Sequence, residues 1–105
     1  MMVAIRSEPE ASAELEEGAR WYEQQRAGLG MEFIAAIDVA LERIAQWPKA
    51  GQHIAGVPDN IPVRAAPVNR FPYHVVYMEW GGVIRVLALA HDRRRPGYWL
   101  GRLKT

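Results

Sequence analysis

Residues 70–99 read RFPYHVVYMEWGGVIRVLALAHDRRRPGYW, and this stretch decides the fold. Two runs rich in valine, tyrosine and leucine flank Gly81-Gly82. A glycine pair between strand-like runs marks a two-residue hairpin loop, because the favoured turn needs positive φ at both central positions. That loop sets a register. Trp80 is expected opposite Val83, Met78 opposite Arg85, Val76 opposite Leu87, His74 opposite Leu89 and Pro72 opposite His91. Arg70 then falls opposite Arg93. The open end of the hairpin would therefore gather Arg70, His91 and the run Arg93-Arg94-Arg95 into one candidate working site.

Alternation along a strand sorts the side chains onto two faces. Tyr73, Val75, Tyr77, Ile84, Val86, Ala88 and Ala90 form an apolar face suited to helices. The other face carries His74, Val76, Met78, Trp80, Val83, Arg85, Leu87, Leu89 and His91. With helices on one side only, that second face is an exposed apolar patch with a polar border, the mark of a binding surface. The other possibility is that residues 98–103 fold back over it.

The segments before the hairpin supply the helices. Residues 2–6 read as a short strand with Val3 and Ile5 on one face. Ser7 with Glu10 three positions on is a capping-box pattern, and Pro9 suits a first helical turn. A helix is expected over 8–26, with Ala11, Leu15, Ala19 and Tyr22 in one stripe and Glu14, Glu17 and Glu23 away from its centre. Trp21 lies off the stripe, either packing on a neighbouring helix or marking a partner surface. Gly28-Leu29-Gly30 breaks the pattern. A second helix, 31–47, buries Phe33, Ile37, Ala40, Leu41 and Ile44 and is stopped by Pro48. The two make an antiparallel helical hairpin. Residues 49–60 read as a loop holding His53, and 61–68 as a weaker edge strand containing Arg64, since Pro62 and Pro67 lack backbone donors. The expected class is α+β: one domain over 1–105, with the helical hairpin on one face of a small antiparallel sheet.

Composition narrows the function classes. The chain has 105 residues and no cysteine, which excludes a disulfide framework, a thiol nucleophile and cysteine-bound zinc. No apolar run approaches a membrane span, and no basic-then-apolar leader opens the chain, so a cytoplasmic protein is expected. His53, His74 and His91 show no metal-ligand spacing; neither metal nor cofactor is expected. Residues 1–47 carry 9 acids against 4 bases, and residues 48–105 carry 3 acids against 9 bases. Such asymmetry suggests a basic face for a polyanion or an acidic partner.

An ordered set of residues resembles a known family. It comprises Arg20-Trp21-Tyr22-Glu23, Gly28-Leu29-Gly30, Phe33, Ile44, Pro48, Gly51, Phe71-Pro72-Tyr73, Tyr77, Val86-Leu87, His91, Arg94, Pro96 and Tyr98-Trp99. Spread over 5–100, it is similar to the RelE/ParE superfamily of toxins from bacterial type II toxin–antitoxin modules, which serve plasmid stabilisation or stress responses. The long helical hairpin and glycine loop look closer to the ParE branch than to the RelE branch. The resemblance implies two helices on an antiparallel sheet and a cognate antitoxin that wraps the toxin. ParE-like members inhibit DNA gyrase; RelE-like members cut ribosome-bound mRNA without a metal.

Metal-free RNA cleavage requires a base, an acid and cations for the phosphate. His91 is the candidate acid or base, Arg64, Arg70 and Arg93 the phosphate holders, and Tyr98 a stacking or proton-moving group. RelE-type nucleases use several lysines in the middle strands, whereas Lys49 and Lys104 lie outside every expected strand here. Arg93, Arg94, Arg95, Trp99 and Arg102 are the expected nucleic-acid or target contacts. His74, Val76, Met78, Trp80, Arg85, Leu87 and Leu89, with Trp21, are the expected antitoxin contacts. A third reading is a non-toxic nucleic-acid-binding or adaptor module, in which the arginine run touches phosphate alone.

Overall fold

A computed structural model describes residues 3–104; Met2, the first residue of the expected opening strand, lies outside them. The elements run β1 (Ala4–Ser7), α1 (Pro9–Gln25), α2 (Leu29–Gln46), β2 (Gln52–His53), β3 (Val63–Pro67), β4 (Tyr73–Trp80) and β5 (Val83–His91). Short 3-10 turns occupy Pro48–Ala50 and Leu100–Lys104. The strand order is β1-β5-β4-β3-β2. β1 pairs parallel to β5 while the other neighbours are antiparallel. The sheet is therefore mixed, not wholly antiparallel, because the chain reaches α1 by crossing from an edge strand.

The helical hairpin forms where glycine pattern and apolar spacing place it. Gly28 caps α2 with φ of 90°, a conformation other residues adopt only with strain. The Glu23 carboxylate accepts from the Gly28 and Gly30 amides at 2.9 and 3.0 Å, satisfying donors that the first turn of α2 leaves open. At Gly30 a Cβ would stand 2.6 Å from the Ala19 carbonyl oxygen, so only glycine lets the two helices approach there. The start of α1 differs from the expected capping box. Ser7 belongs to β1, and Glu8 takes the cap position in extended conformation without a side-chain cap.

The hairpin turns at Gly81-Gly82, both with positive φ. Its register begins as expected, with Trp80 opposite Val83 and Met78 opposite Arg85. Beyond Tyr77 and Val86 it shifts. Val76 pairs with Ala88, His74 with Ala90 and Tyr73 with His91. Leu87 is thus an extra residue on β5, a β-bulge that exchanges the faces of everything after it. Leu89 joins the helix-side core, and Ala88 and Ala90 turn to the far side. The ring of His91 meets Tyr73 edge-on at 5.1 Å.

Two cores result. Between sheet and helices pack Phe33, Ile37 and Ile44 with Val75, Tyr77, Ile84 and Val86. Tyr22, Phe33, Phe71 and Tyr73 form an aromatic cluster within it, with neighbouring centroids about 5 Å apart. On the far side Val63, Val76, Met78 and Leu87 pack under Trp99, Val57 and the partly buried Ile54, Ile61, Tyr98 and Leu103. That face is not an open patch: the last segment folds back, and Trp99 is only 2% exposed.

Candidate functional site

The open end of the hairpin is closed by a loop over residues 92–97. The Asp92 amide donates to the Pro72 carbonyl at 2.8 Å, and the Arg94 amide to the His91 carbonyl at 2.9 Å. His74 Nδ1 lies 3.0 Å from the Asp92 carboxylate, tying the loop to β4. The Arg93 amide donates to His91 Nδ1 at 3.1 Å. His91 therefore accepts through Nδ1, which leaves Nε2 as the nitrogen that bears a proton on the neutral ring. The Arg94 guanidinium carbon stands over the Tyr98 ring, 3.9 Å from its centroid. Arg93 and Arg95 are exposed and, among the described residues, make no ion pair.

Just past this loop the same residue type turns inward. Glu14 of α1 is the hub. Its carboxylate accepts from the Tyr98 hydroxyl at 2.7 Å, from Arg102 at 3.0 and 3.2 Å, and from the Leu89 amide at 3.0 Å. Arg102 also donates to the Leu87 carbonyl at 2.9 Å. These contacts fall where β5 outruns β1, whose pairing stops at Val86. Side chains there satisfy strand-edge groups that no further strand reaches. Burial, then the Glu14 hydrogen bond and charge, push the Tyr98 phenol well above its ordinary value. Burial alone would lower the Arg102 guanidinium, but Glu14 outweighs it and raises it. Arg85 is drawn in as well, pairing with Glu8.

The remaining expected catalytic groups are dispersed. Arg64 donates to the Gly51 carbonyl at 2.8 Å and helps fasten the segment after α2. The same segment is held by Tyr77, whose hydroxyl donates to Pro48 at 2.7 Å and accepts from the Gly51 amide at 3.2 Å. Arg70 adopts a left-handed φ of 74° and pairs with Glu32 at 2.9 Å, beside Arg26. Those two arginines hold the Glu32 carboxyl below its usual range. Of the set expected at the hairpin's end, the structure leaves His91, Arg93, Arg94 and Arg95 together. Tyr98, Arg102 and the buried Trp99 serve the fold. Among the expected antitoxin contacts, Trp21 and Trp80 are 56% and 69% exposed, whereas Val76, Leu87 and Leu89 are buried.

Two grooves flank the arginine loop. One, of about 750 Å³, runs from Ile44 and Trp47 past the open end of β3 to Ala90, with His74, Arg94 and Arg95 on its border. The other, of about 550 Å³, lies between α1 and the hairpin end, lined by Glu17, Trp21, Tyr22, Tyr73, His91 and Arg94. The Tyr73 phenol in it is raised by burial first, then by Tyr22, Glu14 and Glu17. Glu14 was missed as a site residue, though its spacing held a signal. It stands three positions from Ala11 and four before Gly18, both buried, so it shares their helix face.

Comparison with known proteins bears on the fold. No model of a known protein family matches this sequence, and no curated protein matches it. Among solved structures, a chain described as "Chromosomal ParDE TA system from P. aeruginosa" superposes with a TM-score of 0.74 at 17% identity, over 86% of this chain and 96% of that one. The ParE-like α+β fold implied by the ordered residues is the fold found.

Proposed function

We propose that this chain is the toxin of a bacterial type II toxin–antitoxin module, neutralised by a cognate antitoxin protein, and that it arrests growth by docking on DNA gyrase. The observation that carries this reading is the dispersal of the catalytic set on a ParE-like fold. Cleavage of mRNA without a metal needs acid, base and phosphate-holding cations around one phosphodiester. Here Arg64 serves the Gly51 carbonyl, Arg70 serves Glu32 and the Tyr98 proton is donated to Glu14. The exposed arginines beside His91 support a basic docking edge instead. The antitoxin surface is the set still reachable, Trp21, Trp80 and His74, and no helix of the described residues is long and apolar enough to cross a membrane.

Expression of the chain alone in a bacterial host is expected to stop growth, with relief on co-expression of the partner gene. Purified protein is expected to inhibit supercoiling by gyrase and to leave mRNA intact. Cuts in ribosome-bound mRNA with gyrase unaffected would replace the gyrase reading by the endonuclease one. Harmless expression, with affinity for arbitrary duplex DNA that falls steeply with salt, would favour the adaptor module.

A further inference from the structure

The larger groove is apolar inside and basic at its border. Ile44 of α2, Ile54, and Ala65, Ala66 and Ala90 of the sheet line it. Trp47, 66% exposed at the end of α2, stands beside them. Arg43 and the loop arginines Arg94 and Arg95 line it too. Among the described residues of the lining the one acid is Asp92, and it is already bonded to His74. Arg43 and Arg95 make no ion pair among the described residues.

The groove passes an edge of the sheet that is closed to a further strand. The Val68 amide donates to the Tyr73 carbonyl at 3.0 Å, which continues the β3–β4 register. Val68 and Ala66 therefore turn their backbone groups to β4, and Ala65 and Pro67 turn theirs outward. β2 covers Ala65 through Gln52 and reaches no further along β3. What remains is the Pro67 carbonyl, with no N–H beside it, because proline has none. An extended segment laid here would leave most of its backbone unpaired against apolar side chains. A helix satisfies its backbone internally and offers only side chains.

We propose that this groove receives an acidic amphipathic helix of the antitoxin, its apolar side against Ile44 and Trp47 and its carboxylates on Arg43 and Arg95. The inference rests on the toxin reading and deepens it, because it names which part of the partner binds and how that part neutralises. Arg95 also belongs to the basic edge offered to the target, so antitoxin and target compete for it. His74, already placed on the antitoxin surface, lies on the same border and makes the two surfaces continuous. A nucleic-acid strand would pair with the same arginines, but its charged backbone gains nothing from a floor of alanine and isoleucine.

Calorimetric titration of the full-length protein with the purified product of the partner gene tests it. Trp47→Ala is expected to weaken binding about tenfold. Arg43→Glu with Arg95→Glu should weaken it about as much, by a factor that shrinks as salt rises. Arg6→Glu reverses a charge on β1, at the opposite edge of the sheet, and should leave the affinity unchanged. Circular dichroism of each variant checks that it is folded, and the wild-type mixture should gain helix on binding. Hydrogen exchange of the complex should protect residues 43–55 and, in the partner, one amphipathic segment of net negative charge. Tight binding that ignores Trp47, Arg43 and Arg95 overturns the groove assignment and leaves the toxin reading standing. A protected partner segment that is basic, or a complex that gains no helix, overturns it as well. A partner product that does not bind the wild type overturns both readings. Affinity for single-stranded oligothymidylate that falls with the same groove variants, while the partner's does not, gives the groove to nucleic acid instead.

Discussion

Arg93 and Arg102 stand nine positions apart in one basic segment, yet they belong to different regions. Arg102, with Tyr98 and Trp99, faces inward: it is bound to Glu14 and the Leu87 carbonyl on a strand edge. Arg93 and Arg95 face outward on a loop whose backbone is tied but whose guanidinium groups are not. The contrast teaches that a run of like residues in sequence is not one functional unit. The bases that meet an acid on α1 hold the tail down, and those that meet none stay exposed to solvent.

The largest effect that could break this contrast belongs to the inward region. Trp99→Ala removes the ring that roofs Val76 and Leu87, and should cost about 3–5 kcal/mol in urea unfolding. A loss near zero would mean that the tail is not a second core. Glu14→Ala strands the Tyr98 hydroxyl, Arg102 and the Leu89 amide together. Its carboxylate and Arg102 are 14% and 17% exposed, so the expected loss is about 2–3 kcal/mol, below that of a fully buried pair. Glu14→Gln should recover part of it.

Titration sharpens the same comparison. The Tyr98 phenol lies above its ordinary 10.0 in the fold. The raised value means its contribution is complete below the unfolded value, near pH 10, and is lost as pH rises beyond it. Alkaline unfolding should therefore be less steep in Tyr98→Phe, even though Tyr22, Tyr73 and Tyr77 are raised as well. The smallest change in stability is expected outward. Arg93→Ala with Arg95→Ala should shift unfolding by no more than about 0.5 kcal/mol. Under the proposed function it should nevertheless reduce growth arrest strongly. If instead stability collapses and toxicity stays, the assignment of the two regions is reversed.

The parts of the fold legible from sequence were those governed by local rules. Gly81-Gly82 specified the hairpin turn, and Gly28 with the spacing of Phe33, Ile37 and Ile44 specified the helical hairpin. The bulge at Leu87 was not legible, because residues 83–90 are apolar almost throughout and nothing in them marks which residue is extra. Its position follows from the fit of β5 to its neighbours. The face exchange that it causes is why Leu89 was assigned to the wrong side. The parallel pairing of β1 depends on contacts across nearly the whole chain, and so does the Glu14 network. The candidate site was legible as a cluster of bases. Its division into bound and free members needed the acids of α1, which only the folded chain brings near.

The outer edge of β5 carries a further consequence. Past Val86 it is sealed not by another strand but by Glu14 and Arg102 bonded to its Leu89 amide and Leu87 carbonyl. An unsealed strand edge next to bare apolar surface is a template on which other chains can add strands. Residues 98–102 therefore keep that edge from offering itself to another strand. A chain cut after Gly97 would lose Arg102 and the Trp99 roof at once, and the expected product is an aggregate that grows edge to edge.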